Sequence, residues 1–192
     1  MLFPLKSAFP ELTVQGFDFS PRAIQMCSDR AKELNVELDL ALVDLSTPLE
    51  KSPFSVEADV ATLIFVLSAI HPDKHAIAVK NMRNYVKDGG TVIVRDYGVN
   101  DYAMIRFKRG AKLADRFYVR QDGTRSYYFT LGKYQILCAK LNFCSFSEEL
   151  AELFERAGFE CVRKEYLHRQ TVNHQKNLNV PRIFVQARFL KR

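Results

Sequence analysis

Hydrophobic and polar positions along the chain fall into two regimes. From Leu12 to Arg95, short apolar runs alternate with stretches whose apolar positions recur every three or four residues. Leu12–Asp18 reads as a strand, and a helix over 21–34 follows, with Ser20 as its cap and Pro21 at its first position. A second strand is predicted over 37–43. The run from Asp59 to Val66 is apolar almost throughout and bounded by turn signals, which predicts a strand buried on both faces. Residues 72–87 are amphipathic, with Ile77, Val79, Met82, Tyr85 and Val86 as apolar contacts, and Gly89-Gly90 is expected to end that helix. Thr91–Arg95 supplies a further buried strand. Strands and helices in alternation predict an α/β doubly wound sheet, whose ligands lie beyond the carboxyl ends of its strands.

After Arg95 the pattern changes. Residues 1–10, before the first strand, read as the end of a short helix, and 100–110 as a second, basic one. Phe117–Phe129 predicts a hairpin with Asp122-Gly123 at its turn. Glu148–Ala157 is a helix stopped by Gly158, and 159–170 and 182–189 form an antiparallel strand pair joined by a polar loop. Leu131–Cys144 has no clear period and fits neither neighbour.

Composition narrows this only modestly. At 192 residues, with 47% apolar and 26% charged residues, the chain is sized for one globular domain. No run is long enough to cross a bilayer, so no membrane association is expected. Met1–Leu5 lacks the basic region of a signal peptide, so none is expected either. The net charge of +6 fits a polyanionic partner and equally a solvated basic surface. Cys27, Cys138, Cys144 and Cys161 form no CxxC pair, which points to a reducing compartment.

Candidate chemistry gathers at predicted strand ends. Asp18 closes the first strand and Asp44 follows the next. A carboxylate at the first place can accept both hydroxyls of a ribose, and one at the second can accept from an adenine amine. Either acid alone is more often a plain turn residue. His71 and His75, four apart, have no third ligand nearby, so no metal is expected. In the hairpin, Arg120, Arg125, Tyr127 and Tyr128 interleave cations with rings, as single-stranded RNA recognition requires, although Phe117 and Phe129 read as core. Arg106, Lys108, Arg109 and Lys112 add a basic face.

Several segments carry a family resemblance: DFSPRAI (18–24), LIFVLSAIHPDK (63–74), RDYG (95–98), FYVRQDGTRSYYF (117–129) and VPRIFVQARF (180–189). Together they resemble the eukaryotic transfer-RNA 3-methylcytidine methyltransferases of the methyltransferase-like group, with RQDGTRSYYF the most specific. The resemblance implies a Rossmann-like S-adenosylmethionine-dependent methyltransferase sheet with an antiparallel C-terminal strand pair. It implies S-adenosyl-L-methionine as cofactor and methyl transfer to N3 of a cytidine in the anticodon loop of tRNA. Asp18 would then hold the cofactor ribose, Asp44 and Leu45 the adenine edge, and Ile64 would pack on the adenine. Arg120, Arg125, Tyr127, Tyr128, Arg106 and Lys108 would meet the RNA. An aminoacyl-tRNA synthetase or another protein would help to select it, in the cytoplasm or the nucleus.

Methylating N3 uses a lone pair already free at neutral pH and leaves a cationic ring. The useful group is therefore a carboxylate near the developing charge rather than a strong base, and Asp96 is the candidate catalytic acid. Ser68-Ala69-Ile70-His71 stands where exocyclic-amine methyltransferases carry [DN]-P-P-[YF]. Neither Cys27 nor Cys161 falls where a carbon-5 nucleophile would stand.

The chain departs from the family in two places. The glycine-rich motif and first strand fall before Met1, so the domain over 1–192 is expected to be incomplete there. The strands on either side of that gap would close on each other or take a strand from a partner chain. Residues 131–144 are expected to be an insertion. The rival readings are a cofactor-free RNA- or protein-binding module or inactive fragment and, more remotely, a nicotinamide-dependent oxidoreductase.

Overall fold

The computed structural model describes residues 2–131, 150–173 and 178–192. All but the first residue of the expected insertion, and the middle of the polar loop, lie outside them.

Helix α1 (Leu2–Ala8) precedes strand β1 (Gln15–Asp18). Helix α2 (Pro21–Glu33) starts where its cap was expected: Ser20 Oγ accepts the Ala23 N–H at 3.3 Å. Strand β2 (Asp39–Leu42) runs parallel to β1. Strand β3 (Ala58–Ile64) pairs in parallel with β4 (Val86–Tyr97), from Val60 against Thr91 to Ile64 against Arg95. Helix α5 (Leu150–Arg156) leads into β8 (Phe159–Asn173), which pairs antiparallel with β9 (Leu178–Lys191), and β9 in turn pairs antiparallel with β4. The result is a four-stranded sheet in the order β3-β4-β9-β8, with β1-β2 as a separate pair. Gln15 Nε2, at the start of β1, donates to the Val56 carbonyl just before β3, so the strands of both sheets begin together.

The expected closure of the gap does not occur, since β1 and β3 share no ladder. Nor is β3 buried on both faces: Leu63 is 1% exposed but Val60 is 54% exposed, because β3 is an edge strand paired with β4 alone among the described residues. The doubly buried position falls to β4, where Val92 and Val94 are fully enclosed.

The helix expected over 72–87 is much shorter. A 3₁₀ turn at Pro72–Lys74 leads into α3 (His75–Asn81), and a second 3₁₀ turn ends at Asn84. Val86 already pairs with Ala58, and Gly89 and Gly90 lie inside β4 at a bulge. Gly89 takes a φ of +77°, and a Cβ on Gly90 would stand 2.5 Å from Val86 Cγ1. The two glycines therefore permit a strand to kink rather than stopping a helix.

The helix expected over 100–110 is also reduced, to one turn at α4 (Tyr102–Ile105) and a 3₁₀ turn at Arg109–Ala111. The hairpin is present as β6 (Phe117–Val119) and β7 (Arg125–Tyr127), with β5 (Lys112–Ala114) added outside β6. Gly123 has a φ of +80°, and Asp122 accepts from both the Thr124 N–H and its hydroxyl, which fixes the turn. Beyond β7 the chain rejoins the large sheet, where the Phe129 N–H donates to the Tyr97 carbonyl at 2.8 Å and the Val99 N–H to the Phe129 carbonyl at 3.0 Å. This junction sets the hairpin over the carboxyl end of β4.

Candidate active site and RNA-facing surface

At that end β3 does not run on as the sequence suggests. Phe65 adopts a φ of +57°, an uncommon conformation for a bulky residue, while its N–H still bonds the Arg95 carbonyl. The turn aims the Phe65 ring at Tyr97 (4.9 Å between centroids) and Phe184 (5.6 Å). A 3₁₀ turn over Leu67–Ala69 follows and brings the Ser68 N–H to Asp96 Oδ2 at 2.9 Å. The Tyr97 N–H donates to the other oxygen, also at 2.9 Å. Asp96 is fully enclosed, and burial pushes its pKa up to about 6 against these hydrogen bonds and the Arg120 charge.

His75 secures the turn from below. Its Nε2 lies 2.9 Å from the Leu67 carbonyl and 3.1 Å from that of Ile70, a geometry in which a neutral ring donates to both. Burial lowers its pKa to about 4, and its ring packs edge-on to Tyr127 at 5.0 Å. It is a structural residue, and no group of metal-binding side chains occurs among the described residues.

Above Asp96 sits a layer of rings and cations. The Arg120 guanidinium lies 4.9 Å from the Tyr97 ring centre and Arg182 lies 5.8 Å away. Arg182 is held by Asp101, an enclosed carboxylate that also accepts the Ile183 and Ala103 N–H groups. Asp18 and Asp44 lie at the same, carboxyl, edge of the neighbouring pair β1-β2. Each is exposed and spends Oδ1 on a main-chain N–H two residues on, at Ser20 and Ser46, leaving Oδ2 without a hydrogen bond among the described residues. That donor-seeking chemistry suits sugar hydroxyls and an exocyclic amine. Ile64 is half-buried at the end of β3. Leu45 offers main chain only, since its side chain is core and its carbonyl accepts from Asn81 Nδ2.

The RNA-facing candidates divide. Arg120 joins the layer near Asp96, whereas Arg125 points to solvent beyond the turn and reaches none of it. Tyr127 and Tyr128 are 6% and 0% exposed, so neither presents a face for stacking; successive residues point to opposite faces, and both faces are covered here, Tyr127 packing on His75 and Phe129. Tyr128 instead backs Tyr97, Tyr118 and Phe107, at 5.7, 5.8 and 6.3 Å. Arg106 packs on Tyr102, and Lys108 is exposed beside a cavity of about 380 Å³ that Phe107 and Tyr118 also line. Sequence reasoning missed Phe65, Tyr97, Phe184 and Arg182. RDYG and the PRIF segment contained three of them, but nothing in the pattern revealed that Phe65 leaves the strand.

Residues 1–92 match the family model described as a methyltransferase domain. The chain is 44% identical to the tRNA N(3)-cytidine methyltransferase METTL6 of Pongo abelii, across 99% of its own length. It is 37% identical to the human tRNA N(3)-cytidine methyltransferase METTL2B across 95%. The chain is similar to these methyltransferases along nearly all of its own length. It spans 62% of the METTL6 relative and 44% of the METTL2B relative. A SAM-dependent methyltransferase of Methanosarcina mazei shares its fold with a TM-score of 0.66 at 17% identity, covering 98% of this chain and 86% of that one. In this methyltransferase fold, Asp18, Asp44, Ile64 and Asp96 all occupy carboxyl ends of parallel strands, where such sheets place their ligands.

Proposed function

We propose that the chain carries an S-adenosylmethionine-dependent methyltransferase activity that forms 3-methylcytidine in the anticodon loop of tRNA. The observation that carries the reading is the likeness to two tRNA N(3)-cytidine methyltransferases across nearly the whole chain. The carboxyl edge of the sheet supports it chemically. Asp18 would accept ribose hydroxyls and Asp44 an adenine amine, and Ile64, at the end of β3, would offer apolar surface to the adenine. S-adenosylmethionine, when bound, supplies an activated methyl group, so the positive charge of its sulfonium ends on the methylated cytidine ring.

Asp96 accounts for that charge. Its carboxylate is pre-aligned by the Ser68 and Tyr97 N–H groups and is largely ionised at pH 7, so it favours a ring that becomes cationic. No proton has to leave N3. Tyr97 and Phe65 provide flat apolar surface, and Arg120, with Arg106, Lys108 and Arg125 further out, offsets phosphate charge. An aminoacyl-tRNA synthetase or similar protein would select among tRNAs, and the two free cysteines described, Cys27 and Cys161, suit the cytoplasm.

The test is calorimetry with S-adenosylmethionine followed by mass spectrometry of tRNA incubated with the chain and the methyl donor. Micromolar binding and 3-methylcytidine in the product are expected. Cofactor binding with methylation at another base position would overturn the proposed reaction. Absence of cofactor binding would favour a binding module.

A further inference from the structure

The cavity beside the hairpin lies apart from the acids of the reaction site, since none of Asp18, Asp44 or Asp96 lines it. Phe107 and Tyr118 stack on each other in its wall at 4.6 Å and 10°, and Lys108, Arg109 and Lys112 surround its mouth. Those three cations are exposed, and none joins an ion pair among the described residues. A polar amide, Asn100 at a φ of +63°, and the apolar side chains of Met104 and Ile105 complete the lining. Its volume of about 380 Å³ is at the low end of ligand sites, the scale of one nucleotide rather than a chain segment.

Flat rings with unpaired cations, and no acid in the lining, match a base with its phosphates. Two ring contacts through buried Tyr128 connect this wall to Tyr97, beside Asp96. That is the reach of an adjacent nucleotide in an unstacked loop. We propose that this cavity holds a nucleotide next to the methylated cytidine, its base against the Phe107–Tyr118 pair and its phosphates between Lys108, Arg109 and Lys112. The inference rests on the RNA-substrate reading above and gives the loop a second anchor, so that recognition needs single-stranded RNA on at least one side of the target.

The test measures binding of an anticodon stem–loop RNA without methyl donor, by fluorescence anisotropy. The same RNA is made with an abasic nucleotide immediately before or immediately after the target cytidine. One abasic RNA is expected to bind about tenfold more weakly than the intact one. Phe107→Leu should weaken the intact RNA by a similar factor and leave that abasic RNA unaffected. Lys112→Gln, at an exposed position that folding does not require, should weaken intact and abasic RNAs alike by severalfold. If both abasic RNAs bind like the intact one and Lys112→Gln changes nothing, the cavity is not a nucleotide site, even where 3-methylcytidine still forms. If the chain binds no stem–loop RNA at all, the RNA reading itself falls and this inference with it.

Discussion

Asp96 and His75 are both enclosed and both ionisable, and burial moves them in opposite directions. For Asp96 the shift runs from 3.8 up to about 6, so its stabilising contribution is complete below pH 3.8 and is lost as pH rises through 6. For His75 it runs from 6.5 down to about 4, so its contribution is complete above 6.5 and is lost as pH falls through 4. The two windows nearly coincide, and each shift corresponds to about 3 kcal/mol, so their slopes largely cancel in the intact protein. Asp96→Asn should expose the histidine slope, with the urea midpoint falling as pH drops from 6.5 to 4. His75→Gln should expose the opposite slope. A profile that is the same in both variants would mean these groups do not set it. The same carboxylate should govern turnover. Methylation by the intact chain is expected to rise as pH passes 6, and Asp96→Asn to lower kcat by about 100-fold and remove that rise. Retention of full activity in Asp96→Asn would take this residue out of the reaction.

Between β3 and β4 the conformational detail sits in residues whose neighbours are distant in sequence. Asp18, Asp44 and Asp96 were legible because an acid after an apolar run marks a strand end, and the hairpin because Asp122-Gly123 is strong turn chemistry. Phe65 was not, since an aromatic within an apolar run gives no sign that its φ is positive. Tyr127 and Tyr128 misled for a related reason. A ring beside an arginine reads as RNA-facing, but which face of a short strand is buried depends on what packs over it, here His75 and Phe107. Gly89-Gly90 misled because a glycine pair after an amphipathic stretch serves a helix end and a strand bulge equally well. The structure makes the second use checkable. Gly90→Ala would place a methyl group 2.5 Å from Val86 Cγ1 and 2.9 Å from the Lys87 carbonyl, so it should cost about 1–3 kcal/mol in chemical denaturation. Hydrogen exchange should rank the strands as well. Amides of β4, flanked by β3 and β9 and carrying enclosed Val92 and Val94, should be the slowest. Those of the four-rung β1-β2 pair should exchange far sooner.

Across the molecule the net charge of +6 is not evenly spread. At the amino end of β4 the cations have partners. Lys191 is within 4.0 Å of Glu57 and 3.2 Å of Asp88, Arg192 pairs with Glu160, and Arg83 donates to the Ala157 and Gly158 carbonyls. At the other end, around the hairpin, Arg106, Lys108, Arg109, Lys112 and Arg125 join no ion pair among the described residues. Ion pairs offset Lys191 and Arg192 at one pole, whereas these five exposed cations around the hairpin keep their charge free of acid partners among the described residues, so a polyanion is drawn toward the hairpin. On the RNA-substrate proposal, the salt dependence of binding is then a property of the whole charge layout. If about four phosphates meet these cations, the logarithm of the association constant should fall with the logarithm of salt concentration at a slope near −3 for single-stranded contacts. Arg125→Gln, outside the ring layer, should make that slope shallower by roughly 0.7 without altering which base is methylated. Lys191→Gln, at the paired pole, should leave the slope unchanged and lower stability instead, because Lys191 Nζ also donates to the Arg83 and Val86 carbonyls. A slope near zero, or one that Lys191→Gln changes as much as Arg125→Gln, would show that RNA is not held by the hairpin pole.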